Sequence, residues 1–192
     1  MHRVAEGIWI GSQFALQGRQ SLQKDGITHV LSIMPPPIND KWVDGFTHKL
    51  IDADDEEDQD ILQYVDEAIA FIALATANGS VLVHCVAGIS RSPTVVAAFL
   101  MKRDHLSRDA ALEVIRRGRT VANPNPGFLE QLQVFEDCQY DISENSAPYR
   151  RWKLRNDASF SASAGIAPVV RFYNKDQADK RTDKSVKCKK CR

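Results

Sequence analysis

Val81-Leu82-Val83-His84-Cys85-Val86-Ala87-Gly88-Ile89-Ser90-Arg91-Ser92-Pro93-Thr94 joins an apolar run, a cysteine, a short loop and an arginine that opens a second apolar segment. Val and Leu in a short run between Gly79-Ser80 and a loop predict a strand buried on both faces of a parallel sheet. The strand ends at Cys85. Gly88 permits a tight turn, and Pro93 suits the first turn of a helix over residues 91–101. A strand, a loop and a helix N-terminus in that order build an anion site. Loop amides converge there, the helix dipole favours negative charge, and Arg91 can grip two oxygens of one phosphate in a planar fork. The same field favours a thiolate at Cys85, although a cysteine in isolation is more often a small buried hydrophobe.

The order His84-Cys85, five residues, Arg91-Ser92 resembles the signature of the cysteine-dependent protein tyrosine phosphatase superfamily. The version Ala87-Gly88-Ile89-Ser90-Arg91-Ser92 resembles its dual-specificity branch. That resemblance implies a phosphoprotein substrate and hydrolysis of phosphotyrosine and phosphoserine or phosphothreonine through a cysteinyl-phosphate. Cys85 would be the nucleophile, and Arg91 with the amides of Val86, Ala87, Gly88, Ile89 and Ser90 would hold the phosphate. Ser92 would assist departure of the sulfur, and His84 would set the loop from behind. The resemblance also implies an aspartate on the loop after the third strand that protonates the leaving oxygen, which departs slowly otherwise. Spacing to the next helix points to Asp55, then Asp54, then Asp52. The segment Asn123-Pro124-Asn125-Pro126-Gly127-Phe128-Leu129-Glu130-Gln131-Leu132 resembles the Pro-Asn-x-Gly-Phe-x-x-Gln-Leu stretch of dual-specificity phosphatases, which implies that Asn125 braces the phosphate loop. Asn125 is equally suited to capping the helix that follows. Catalysis of this kind calls for no metal or organic cofactor.

At 192 residues and 43% hydrophobic content, the chain is long enough for one domain with a proper core and an extension. No apolar run reaches the ~18 residues of a membrane span, so a soluble, intracellular protein of cytoplasm or nucleus is expected, with no membrane partner. Four cysteines, Cys85, Cys138, Cys188 and Cys191, make no dense disulfide pattern, as expected of a reducing compartment. The zero net charge hides a split. Residues 1–140 carry 12 Lys and Arg against 19 Asp and Glu, a net of −7, and residues 141–192 carry 13 against 6, a net of +7. A basic extension suits an anionic partner such as RNA or a pre-ribosomal particle, and suits a solvated tail as well.

Residues 4–10 read as a first strand, and Ser12 as the N-cap of a short helix ending near Asp25-Gly26. Residues 27–33 and 46–51 read as the second and third strands, separated by an extended loop at Pro35-Pro36-Pro37. The acidic stretch over residues 52–60 cannot pack in a core. It leads through Asp60, as N-cap, into a helix marked by Ile61, Leu62, Val65, Ile69 and Ile72 that closes at Asn78-Gly79. Ser107 caps a further helix ending at Gly118, and a last core helix runs to about Tyr140, with Cys138 a packing or surface residue. The fold class is therefore α/β, a central, mostly parallel sheet flanked by helices on both faces, with the site at the carboxyl end of the central strand.

Beyond residue 141 the periodicity fades. Residues 149–154, with Trp152, suit a short basic helix, and residues 159–165 a small-residue linker. Cys188-Lys189-Lys190-Cys191 offers two zinc ligands where a closed site needs four. With the basic extension, this tail resembles the dual-specificity protein phosphatase 12 type, which carries a C-terminal zinc domain and is linked to ribosome assembly. The expected division is a catalytic domain at 1–141, a basic extension at 142–187, and the start of a cysteine-rich zinc domain at 188–192. Two other readings are an assembly factor whose phosphatase activity is dispensable, and a phosphoinositide or glucan phosphatase. The apolar Val86, Ala87 and Ile89 count against the lipid-directed alternative, since members acting on lipids tend to carry lysines in this loop.

Overall fold

Five strands form one sheet in the order β1-β2-β5-β3-β4, with β1 at His2–Ala5, β2 at Ile8–Ser12, β3 at Ile27–Ile33, β4 at Thr47–Ile51 and β5 at Ser80–Cys85. The structure, a computed structural model, describes residues 1–143 and 146–165. β2, β5, β3 and β4 run parallel, and only β1 is antiparallel to its neighbour. β5 lies at the centre, and its side chains alternate between two cores as period-two geometry demands. Val81 and Val83 enter the larger core with Ile8, Ile10, Leu31 and Ile33, whereas Leu82 enters a smaller one with Leu16, Leu22, Val30 and Val43. The larger core is covered by α3 (Val65–Asn78), α4 (Arg91–Asp104), α5 (Arg108–Gly118) and α6 (Pro126–Asp137). The other face carries only the short α1 (Arg19–Lys24) and α2 (Asp40–Val43) with a 3-10 turn at Gln13–Gln17. α4 is buried along almost its whole length, so its N-terminus is held rigidly behind Cys85.

Several local expectations are corrected. The single strand expected over residues 4–10 is a hairpin of β1 and β2, because Gly7 turns the chain at φ 66°. The helix expected from Ser12 to Asp25 is two pieces broken at Gly18, and Ser12 stays extended without capping through its side chain. Within the loop expected to be extended after the prolines, Asn39 caps α2 by accepting from the Lys41 N–H. Asp60 is not the N-cap of α3: a 3-10 turn, Leu62–Tyr64, intervenes with Ile61 at its N-cap and Tyr64 at that of α3, and Asp60 Oδ1 accepts from the Gln63 N–H at 3.2 Å within that turn. Ser107 caps α5 through the Ala110 N–H.

The linker expected over residues 159–165 is instead the last part of a helix, α7 (Ala147–Ala164), which ends at Gly165. Alternating Ala and Ser carry no amphipathic pattern, yet alanine is the strongest helix former and serine is tolerated. The first compact unit spans Met1–Trp152 and the second begins at Lys153. Within the first unit, Tyr149 and Trp152 belong to the larger core, their rings stacked with centroids 6.0 Å apart, and the Tyr149 hydroxyl donates to Asp60 at 3.2 Å. Among the described residues, no helix is long and apolar enough to cross a membrane. Cys188 and Cys191 lie outside the described residues.

Candidate active site

Cys85 ends β5 and is 1% exposed, lying beneath the loop of residues 86–90. Every carbonyl of that loop is tied back to the scaffold. Val86 O accepts from the Gln13 N–H at 3.2 Å and Ile89 O from the Asn123 N–H at 2.7 Å. Ala87 O and Gly88 O accept from Arg119 at 3.0 and 2.6 Å, and Ser90 O from the N–H and hydroxyl of Thr94. A trans peptide sends its N–H opposite its carbonyl, so the N–H groups of residues 87–91 are released from the scaffold side. That of Gly88 lands 3.2 Å from Cys85 Sγ, and the Ser92 hydroxyl donates to the same sulfur at 3.4 Å. Gly88 sits at φ 70° with the Gly11 backbone directly where a Cβ would stand, so no larger residue fits this turn. The result is a ring of amide donors over a thiol, an anion cradle preorganised before anything binds.

Arg91 opens α4 and is 6% exposed. Its Nη1 donates to the Ala53 carbonyl at 2.9 Å, which fixes the guanidinium plane. Nε is buried with no hydrogen-bond partner among the described residues, because its distance to Asp55 Oδ2, 3.6 Å, suits an ion pair and not a hydrogen bond. A buried guanidinium with unspent donors at an anion cradle is a site built for an anion, since leaving such a group unpaired is costly.

The acidic loop after β4 meets this arginine. Of the three aspartates considered, Asp55 is the one whose carboxylate reaches Arg91 and Asn125. Its Oδ1 accepts from Asn125 Nδ2 at 3.0 Å. Asp52 and Asp54 are exposed, and the Asp54 N–H donates to Gln59 Oε1. Asn125 does more than either sequence reading foresaw. Its Oδ1 caps α6 through the Phe128 N–H at 2.8 Å, its side-chain amide holds Asp55, and its backbone N–H donates to the Ser90 hydroxyl at 3.0 Å. Asn125 therefore meets the loop of residues 86–90 through its backbone and Asp55 through its side chain.

Behind the cysteine, His84 is fully buried. Its Nδ1 lies 3.3 Å from the Cys85 carbonyl, which can only accept, so Nδ1 carries the proton. Nε2 of the neutral ring must then accept from the Ser32 hydroxyl at 2.6 Å, and Ser32 in turn accepts from His48 Nε2 at 2.9 Å. Burial pushes His84 down to about 4 from its ordinary 6.5; the bond to the Cys85 carbonyl opposes this and His48 adds to it. Burial lowers His48 also, against an opposing pull from Asp40. The unfolded chain thus takes up a proton that folded His84 refuses. The contribution to stability is complete above about pH 6.5, falls as pH drops toward 4, and amounts to about 3 kcal/mol at ~1.4 kcal/mol per unit. Urea unfolding between pH 7 and 4.5 should show this slope, and His84→Gln should flatten it. An unchanged slope in the variant would assign the acid sensitivity elsewhere.

Four contributors were not read from the sequence: Arg119, Ser32, His48 and Gln131. Arg119, 8% exposed, holds two loop carbonyls and also contacts His2 Nδ1 at 2.7 Å. Gln131 pins the acidic loop, accepting from the Ile61 N–H at 2.9 Å and donating to the Gln59 carbonyl at 2.8 Å. Only Gln131 carried a signal, since it stands in the stretch quoted for Asn125.

A thiol under amide donors, an arginine at the helix start and a nearby aspartate, all at the carboxyl end of a parallel sheet, define a class: the cysteine-based phosphatases. Within it, the chain belongs to the dual-specificity phosphatase family, with residues 8–138 matching the model described as "Dual specificity phosphatase, catalytic domain". The tyrosine-protein phosphatase yvh1 of Schizosaccharomyces pombe is 34% identical over 194 residues, covering 100% of this chain and 58% of that protein. Dual specificity protein phosphatase 12 of Mus musculus is 32% identical over 195 residues, covering 98% of this chain and 58% of that protein. The chain thus spans little more than half the length of these two curated relatives. Among solved structures, human DUSP28 superposes with a TM-score of 0.68 at 30% identity, over 71% of this chain and 96% of that one.

Proposed function

We propose that the chain is a protein phosphatase that cleaves phosphomonoesters of tyrosine and of serine or threonine through a cysteinyl-phosphate. The observation that carries this reading is the pairing of a buried thiol with a loop whose carbonyls are all turned away from it. Cys85 Sγ attacks phosphorus in line, the P–O bond to the leaving group breaks, and Asp55 delivers a proton to the departing oxygen. The amides of residues 86–91 and the unspent donors of Arg91 take the charge on the equatorial oxygens. In the second step Asp55, now ionised, removes a proton from water that attacks the phosphocysteine, and the Ser92 hydroxyl hydrogen-bonds the sulfur as it leaves. His84, neutral and locked between Ser32 and the Cys85 carbonyl, holds the strand end in place. The residues of the site are themselves sufficient for this chemistry.

Hydrolysis of aryl phosphates across a range of leaving-group pKa tests the assignment. Asp55→Asn should cost about 10²-fold or more on a phenolic ester with a poor leaving group, and far less on an activated one. An equal loss on all esters at Asp55, or a steeper dependence for an Asp54 or Asp52 variant, moves the acid to another residue.

We propose further that the catalytic domain comprises the expected residues 1–141 together with the chain through Trp152, since Tyr149 and Trp152 pack in its larger core, and that the net positive segment that follows contacts an RNA-containing partner, with affinity falling steeply as salt rises. The relatives in Schizosaccharomyces pombe and Mus musculus cover this segment as well as the domain, which supports treating the two as parts of one protein. Cys188 and Cys191 could hold zinc only with two further ligands.

A further inference from the structure

The sheet order puts two unlike surfaces on opposite sides of the candidate site. β2 flanks β5 on one side, with Ser12 in register with Cys85, so the residues after Ser12 border the phosphate loop directly. Phe14 there is 64% exposed, and the preceding Gln13 N–H is bonded to the Val86 carbonyl. Val86 and Ile89 of the loop are 41% and 39% exposed. The α5–α6 connection adds Val121, 53% exposed, two residues before the Asn123 N–H that bonds Ile89 O. One exposed apolar side chain is ordinary, but four on hydrogen-bonded segments around one anion-binding loop make a surface.

On the other side, beyond β3, β4 runs into the acidic loop, where Asp52, Asp54, Asp55, Glu56, Glu57 and Asp58 are all exposed. The loop is not free to swing away. Gln131 pins its far end, and Gly127 lies so close to the Glu57 carbonyl that no side chain would fit between them. Neither residues 12–17, nor 52–60, nor 120–125 contain a lysine or arginine. Arg119 is spent on loop carbonyls, and Arg116 has its Nε on the Ala122 carbonyl.

We infer that this rim selects substrate by side, taking a phosphopeptide with an apolar residue on one flank of the phosphorylated residue and basic residues on the other. The inference names the substrate class of the site proposed above and rests on that reading. The apolar flank lies over Phe14, Val86, Ile89 and Val121, and the basic flank lies along the carboxylates that follow β4. A second phosphate, an acidic flank or an anionic lipid surface meets those carboxylates and is repelled.

Fluorescence polarisation with Cys85→Ser protein and a set of labelled phosphotyrosine peptides, in both chain directions, reads the preference without turnover. Replacing the apolar flank by serine should weaken binding about tenfold, the worth of one largely buried apolar side chain. Exchanging the basic flank for glutamate should weaken it severalfold, by an amount that shrinks as salt rises. Phe14→Ser with Val121→Ser should erase the apolar preference, and in the chain that keeps Cys85 the same pair should leave aryl phosphate hydrolysis unchanged. Glu56→Lys with Glu57→Lys should reverse the charge preference. Equal affinity for all peptides would overturn the inference, as would tighter binding of glutamate-flanked or doubly phosphorylated peptides or of phosphoinositide vesicles. Each of those results leaves the catalytic reading standing. Conversely, absence of hydrolysis in the unaltered chain defeats the catalytic reading, while the binding comparison still decides the rim.

Discussion

Replacing Cys85 by serine should lower aryl phosphate turnover by on the order of 10⁴-fold or more, the scale on which loss of a nucleophile acts in covalent catalysis, while inorganic phosphate still binds. The two halves of this result follow from different parts of the site. Binding depends on amides oriented by bonds that do not involve the sulfur, from Gln13, Asn123, Arg119 and Thr94 to the loop carbonyls. Turnover depends on the sulfur as nucleophile, held at the end of β5 with the Gly88 N–H and the Ser92 hydroxyl donating to it. A serine hydroxyl in the same place keeps its proton, because His84 is committed to the Cys85 carbonyl and Ser32 and is not positioned to act as its base. Substantial residual turnover in a clean preparation would mean that another group attacks phosphorus.

Arg91→Lys should cost about 10²- to 10³-fold in kcat/KM, the range found when one preorganised donor to a transition-state oxyanion is removed. Charge is retained in this variant, so the loss isolates geometry. Arg91 is 6% exposed, spends Nη1 on Ala53 O and keeps its buried Nε without a hydrogen-bond partner among the described residues. An ammonium that satisfies Ala53 has no second rigid arm to offer the phosphate, and it loses the planar match to two oxygens. If Arg91→Lys kept most of the activity of the unaltered chain, phosphate would be held by the loop amides alone. Kinetics at several substrate concentrations separate the two possibilities, because a transition-state contact moves kcat as well as KM.

What the sequence made legible was continuous in the chain. β5, the loop and α4 are consecutive, and each announces itself locally: a run of Val and Leu, a glycine at the turn, a proline tolerated in the first helical turn. Asp55 and Asn125 were singled out through the family resemblance of the short segments that hold them, and the structure joins the two by a hydrogen bond. The supports were hidden because they come from separate elements. Arg119 is the residue after α5, Ser32 and His48 meet by a side-chain hydrogen bond from offset positions on β3 and β4, and nothing in their local sequence distinguishes them from solvated or packing residues. The hairpin at Glu6-Gly7 was missed for a similar reason, since a period-two pattern continues across a turn when the residues on both sides suit strands. The helical run through residues 159–164 was missed because intrinsic propensity, and not amphipathic pattern, carries it.

These pieces converge on one claim, that phosphate passes from substrate to Cys85 before water removes it. Rapid mixing with an activated aryl phosphate, acid quenching within the first turnover and peptide mass analysis test that claim most directly. The account predicts one phosphoryl group per chain on the peptide containing Cys85, more of it when Asp55→Asn slows the hydrolytic step, and none in Cys85→Ser. A product burst with no phosphopeptide at Cys85, or phosphate found on another residue, would contradict it.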